Sequence, residues 1–213
     1  MQAIEKIVYS NNWITIVLLF LFIAIVLLKL IDAKKLKESF FAFFNFGFLE
    51  DDDVDSVRFF DAFQIVIFFF TITVLSLVVF KFKIYLLPES TDNFVTYLTV
   101  YVGLLFYFLI KKILEYALSL LFFIKNKVQF YFKSKNNYLF NISFLVYIAL
   151  ILCEYANVNQ LYLFYFAAFL FGVRFIFSLV INKKLIFNQL FYFILYICAF
   201  EIAPLFILFK LMF

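Results

Sequence analysis

The chain of 213 residues has no histidine, three glycines, two prolines, two cysteines and one tryptophan. Without histidine it lacks the commonest general base and the commonest metal ligand. Its few glycines and prolines disfavour the transporters that use them to break helices around a mid-membrane binding site. A phosphate-cradling glycine loop, a Gly-x-Ser-x-Gly elbow, a His-Glu-x-x-His helix and paired intramembrane aspartates are all missing. Glu115, Glu154 and Glu201 fall at different depths relative to the apolar runs, so no catalytic carboxylate pair is expected and no cofactor is called for. Cys153 and Cys198 both sit in apolar surroundings and read as small core residues instead of a disulfide.

What is present is apolar surface. Hydrophobic residues make up 68% of the chain and aromatics 25%, with 38 phenylalanines. A soluble domain is only about half apolar, so the composition points to a membrane protein. Phe, Ile, Lys and Asn are jointly favoured by an AT-rich genome, so each Phe need not have been selected. The expected architecture is all-α: a single integral membrane domain over 1–213, with about six spans at 13–31, 62–80, 94–110, 138–153, 161–181 and 187–210. A run of about 20 apolar residues is long enough for a ~30 Å hydrocarbon core.

The first run opens at Trp13, and the cations Lys34, Lys35 and Lys37 follow it instead of preceding it. No small-x-small site closes it, so it reads as a retained span and not a signal peptide. Trp13 suits one membrane interface, and Lys29 can snorkel to the other. Between Ala33 and Phe48, Leu36, Phe40, Phe43, Phe44 and Gly47 recur at helical spacing and leave Lys34, Lys35, Lys37 and Glu38 opposite. This predicts an amphipathic interfacial helix. The acidic run Glu50, Asp51, Asp52, Asp53 and Asp55 lacks the alternation and glycine of a calcium loop, so a solvated loop is expected and no metal site. In the second span, Thr71, Thr73 and Ser76 can bond back to their own helix or across to a neighbour.

After the third span no helix breaker appears until about Ile124. Residues 113–124 are too apolar to stand free in water and are expected to bend along the surface or pack on the interfacial helix. From Lys125 to Asn137 the lysines Lys125, Lys127, Lys133 and Lys135 alternate with Phe130, Tyr131 and Phe132. Such interleaving can bind single-stranded nucleic acid. Beside a membrane helix it fits anionic headgroups better, so a lipid surface is the expected partner and nucleic acid is not. Residues 138–153 form a short span of ~24 Å, which leaves open whether it crosses fully. A polar loop from Glu154 to Gln160 and a basic turn, Asn182-Lys183-Lys184, frame the fifth span.

Of the 18 basic residues, 13 follow the odd-numbered spans: Lys29, Lys34, Lys35, Lys37, Arg58, Lys111, Lys112, Lys125, Lys127, Lys133, Lys135, Lys183 and Lys184. Lys6, Lys81, Lys83 and Lys210 lie on the other side, and Arg174 lies within a span. The positive-inside rule then places both termini outside the cytoplasm and predicts contact of Lys34, Lys35, Lys37, Lys125, Lys127, Lys183 and Lys184 with anionic lipid.

Arg174 and Glu201 are the charges inside spans. A mid-bilayer charge costs about 2.5–3.5 kcal/mol on insertion scales, so each calls for a partner. In a simple hairpin about Lys184 the two differ by ~10 Å in height. A direct pair is within reach of two long side chains. Other arrangements are equally open: Arg174 reaching headgroups, and Glu201 meeting a tyrosine, a polar group on span two, another protein, or a proton. Pro204 is expected to kink the sixth span.

The opening Asn12-Trp13-Ile14-Thr15 resembles the start of an uncharacterised polytopic inner-membrane family of Bacteroidota, catalogued as domain of unknown function 4271. The segment from Tyr192 through Phe200-Glu201-Ile202-Ala203-Pro204-Leu205 resembles that family's end, including its Glu-x-x-Pro spacing. Arg174 and the Asn182-Lys183-Lys184 turn are similar to it as well. The resemblance implies a bacterial cytoplasmic membrane and a motif containing Glu201 and Pro204, but no activity. The leading expectation is a non-enzymatic integral subunit or assembly factor of a larger cell-envelope complex, with other membrane proteins as partners. The alternatives are a small transporter or ion-coupled carrier titrating Glu201, and a membrane lipid-processing enzyme with a headgroup pocket at Arg174.

Overall fold

A computed structural model describes residues 12–41, 62–87, 93–121, 125–156 and 158–181. Among these the regular structure is entirely helical: α1 (Asn12–Ile31), α2 (Ala33–Phe41), α3 (Ala62–Leu86), α4 (Phe94–Leu121), α5 (Lys125–Tyr155) and α6 (Gln160–Ile181). The chain is a helical membrane protein. Among the described residues four stretches are long and apolar enough to cross a bilayer: Trp13–Ile31, Ala62–Leu86, Phe94–Ile113 and Tyr138–Tyr155. A shorter apolar stretch, Gln160–Val173, opens α6 at the place expected for the fifth span. The expected sixth span, 187–210, lies outside the described residues.

The helices alternate in direction around α3. Eight consecutive residues of α3, Phe70 to Leu77, are buried, with side chains leaving the axis on every side. A helix that is apolar all round has to be enclosed, and the other helices supply the enclosure. Helix α1 presents Ile14, Leu18, Leu21 and Leu28 inward, one helical stripe at steps of three, four and seven. Helix α4 packs Val100 and Leu104 on Ile72 and Leu75. Helix α5 sets Phe140 and Tyr147 against Phe70, at ring-centroid distances of 5.5 and 5.8 Å. Helix α6 buries Leu163, Ala167 and Leu170, and places Phe164 5.2 Å from Phe82.

The outward faces are equally apolar. On α4, Val95, Leu98, Val102, Phe106, Leu109 and Ile113 recur every three or four residues and are all exposed. On α1, Ile16, Leu19, Phe20, Ile23, Leu27 and Leu30 are exposed in the same way. In water such surface would drive association, whereas in a bilayer it is the face that meets acyl chains.

One expectation changes. Span two continues past Phe80 to Leu86, and Lys81, expected to close it, is paired with Glu154 within the bundle. The absence of a breaker up to about Ile124 predicts a helix of ~30 residues from Phe94, and α4 runs unbroken to Leu121. Residues 125–137 are the first half of α5, continuous with the fourth span. That span also proves to run the length of the bundle, from Phe140 near one end to Glu154 at the other. Its 18 apolar-window residues, Tyr138–Tyr155, rise ~27 Å.

Of the expected amphipathic helix over 33–48, α2 forms the first nine residues, and the remainder, with Phe43, Phe44 and Gly47, lies outside the described residues. Asp32 ends α1 and caps α2, its Oδ1 accepting from the backbone N–H of Lys34 and of Lys35 at 3.0 Å each. Leu36 turns toward the core, while Lys34, Lys35 and Lys37 stay exposed.

Candidate functional site

The polar groups that the bundle buries are set by two facing seams. On α3 the seam is Phe63, Ile67, Phe70, Val74, Leu77 and Lys81, at steps of three and four. On α5 it is Phe140, Ser143, Tyr147, Leu150 and Glu154, at similar steps. The two helices run parallel, so the last member of one seam meets the last member of the other. Lys81 Nζ lies 2.5 Å from Glu154 Oε2, with the side chains 9% and 21% exposed. At such distance and burial the pair is a charge-assisted hydrogen bond shielded from screening.

The end of the bundle that holds this pair is aromatic. Trp13 lies 5.2 Å from Phe80, 5.9 Å from Phe94 and 5.3 Å from Tyr97, tying α1, α3 and α4 together. Ser76 donates to the Thr73 carbonyl at 2.8 Å and lies 3.2 Å from the Tyr97 hydroxyl, while Thr73 donates to the Phe69 carbonyl. Both ways of satisfying these hydroxyls that the sequence suggested are thus used: back to the helix and across to α4. Tyr155 OH lies 3.2 Å from Thr15 Oγ1, and Tyr147 OH donates to the Leu18 carbonyl at 3.1 Å. Together these close α5 on α1 above an open apolar groove of about 250 Å³ lined by Leu18, Leu19, Phe22 and Ile151.

At the opposite end Asn141 of α5 donates from Nδ2 to the carbonyl of Ser39, so α2 is held on the bundle by a buried bond of 2.6 Å. Asn141 Oδ1, Ser143 Oγ and Thr71 Oγ1 are buried without a hydrogen-bond partner among the described residues. Lys112 Nζ stands 4.1 Å over the Phe68 ring, and Lys111 Nζ 5.9 Å from the Tyr107 centroid.

The residues singled out from sequence are distributed unevenly over this picture. Lys34, Lys35 and Lys37 are on the exposed side of α2, where Lys35 Nζ is 3.8 Å from Asp32 Oδ2. Lys125 and Lys127 lie in the first turn of α5 and Arg174 lies in α6, with their side chains outside the described part. Lys183, Lys184, Glu201 and Pro204 lie outside the described residues altogether, and with them any meeting of Arg174 and Glu201. The intramembrane ion pair that is described joins two residues read differently from sequence: Lys81 as the close of span two and Glu154 as the start of a polar loop. The signal was the seam itself, since Lys81 falls four residues after Leu77 and eleven after Phe70, on the same helical face.

Among the described residues no three His, Cys, Asp or Glu side chains gather as metal ligands, and Cys153 is a free thiol. No curated protein matches the chain, and no solved structure does. A family model does, over residues 14–212, from the third residue of α1 almost to the last residue of the sequence. With that match covering nearly the whole length, the chain belongs to the family described as a domain of unknown function, DUF4271.

Proposed function

We propose that the protein is a non-enzymatic integral subunit or assembly factor of a larger cell-envelope complex in a bacterial cytoplasmic membrane. The observation that supports this reading is the enclosure of α3. Its residues Phe70 to Leu77 are buried on every side, and Lys81, the charge beside them, is neutralised by Glu154. Among the described residues the helices spend their interior on packing. Their outward faces are apolar stripes of the kind another transmembrane subunit can cover.

Exposed Lys34, Lys35 and Lys37 at the α2 end favour contact with anionic headgroups and, by the positive-inside rule, a cytoplasmic α2 with both termini on the far side.

The test is purification of the tagged full-length protein from its native membrane in mild detergent, with mass spectrometry, beside Glu201→Gln. A stoichiometric membrane partner is expected with the parent protein, and its loss from Glu201→Gln would place Glu201 at the interface. Recovery of a lone monomer from both would overturn the subunit reading.

A further inference from the structure

Helix α5 is among the less apolar of the candidate spans. Its stretch Tyr138–Tyr155 has a mean hydropathy of 1.7, equal to that of Phe94–Ile113 in α4 and below the 2.6 of α3. It carries Asn141 and Ser143 in its buried face and Glu154 in its last turn. Its ~27 Å rise falls short of a ~30 Å core, so Glu154 is held at the membrane boundary instead of clear of it. A carboxylate at the edge of an apolar stretch adds to the cost of insertion, though less than one at the bilayer centre.

Helix α3 carries the complementary liability. Lys81 lies five residues before its end, at the end of the bundle opposite α2 and the basic residues around it. Positive charge there runs against the asymmetry that orients membrane proteins. The two liabilities cancel in one contact, at 2.5 Å, between side chains 9% and 21% exposed. Chain order matters as well, because α3 is complete before α5 is made.

We propose that Lys81 is the counter-charge that draws α5 across the membrane, α3 inserting first on its own apolarity and α5 following by pairing Glu154 with Lys81. The pair is thus a topological latch. Its first consequence is the side on which the connection between α5 and α6 emerges, and its second is the parallel alignment of the α3 and α5 seams. The inference stands apart from the subunit reading, since it concerns how the chain crosses and not what it binds.

The test uses the full-length chain with Cys153→Ala and Cys198→Ala, and a single reporter cysteine, Val158→Cys, in the exposed connection between α5 and α6. Newly made, pulse-labelled chains are treated with a membrane-impermeant maleimide in intact cells and in opened membranes, so that later degradation of a misfolded variant does not hide the result. The parent is expected to label from one side. Lys81→Glu is expected to lose about twofold or more of that one-sided labelling as part of the population leaves α5 uninserted. Lys81→Glu with Glu154→Lys is expected to restore it. Lys83→Glu, a charge reversal two residues away, is expected to leave it unchanged. One-sided labelling in Lys81→Glu, or a mixed population that persists in the double reversal, would overturn the latch.

Discussion

At the scale of single residues, the buried polar groups sort into those that have a partner and those that do not, and the two kinds predict opposite outcomes. Ser143 Oγ and Thr71 Oγ1 are enclosed without a partner among the described residues, so each hydroxyl carries a desolvation penalty with no bond to offset it. Ser143→Ala and Thr71→Val should therefore raise stability by about 1 kcal/mol each, read as a higher midpoint of thermal unfolding in detergent. Tyr147→Phe should lower it by about 0.6–1.7 kcal/mol, because the Leu18 carbonyl loses its cross-helix donor. Lys81→Met should cost about 3–5 kcal/mol by stranding Glu154, while Lys81→Met with Glu154→Leu should sit near the parent, since apolar replacement of a whole buried pair is often neutral.

This distinction was only half legible in the sequence. The periodic hydroxyls of α3 announced themselves, because Thr and Ser inside an apolar run have few ways to be satisfied. Glu154 did not, because a glutamate at the edge of an apolar run looks the same whether it enters a loop or turns inward. What decides is the neighbouring helix, and a single chain read linearly does not name its neighbours.

At the scale of elements, the helix ends carry the information. Asp32 closes α1 and caps α2 through the amides of Lys34 and Lys35. Asp32→Ala should loosen α2 by about 1 kcal/mol, visible as faster amide exchange over residues 33–41 with α3 unaffected. The continuity of α4 beyond its membrane stretch was legible, since no breaker appears before about Ile124, but that of α5 back through 125–137 was not. Hydropathy marks where a helix leaves the apolar layer, not where the helix stops, and neither 111–121 nor 125–137 contains the glycine or proline that would stop one. The four spans described were placed by length and composition alone, with errors of a few residues at their ends, because the bilayer imposes one length on all of them.

At the scale of the whole molecule, a central helix wrapped by its neighbours separates two kinds of apolar residue that share one composition. Leu77 is fully enclosed, and Leu77→Ala should cost about 2–5 kcal/mol through lost packing. Leu19 is as apolar but faces outward, and Leu19→Ala should move the unfolding midpoint little. From sequence the two are hard to tell apart, since the lipid-facing side of a membrane helix is as hydrophobic as its core-facing side. The membrane class was therefore evident from composition, while the identity of the central helix emerged only from the packing.

The aromatic end of the bundle also gives the protein an optical signature. Trp13 is the sole indole in 213 residues, and it sits where the first helix meets two others, against Phe80, Phe94 and Tyr97. Its emission is consequently a single-site gauge of whether that corner is closed, uncontaminated by any other tryptophan. Enlarging the space beside the ring with Phe80→Ala should move the emission to longer wavelength and diminish its near-ultraviolet dichroism, while the far-ultraviolet helical signal stays in place.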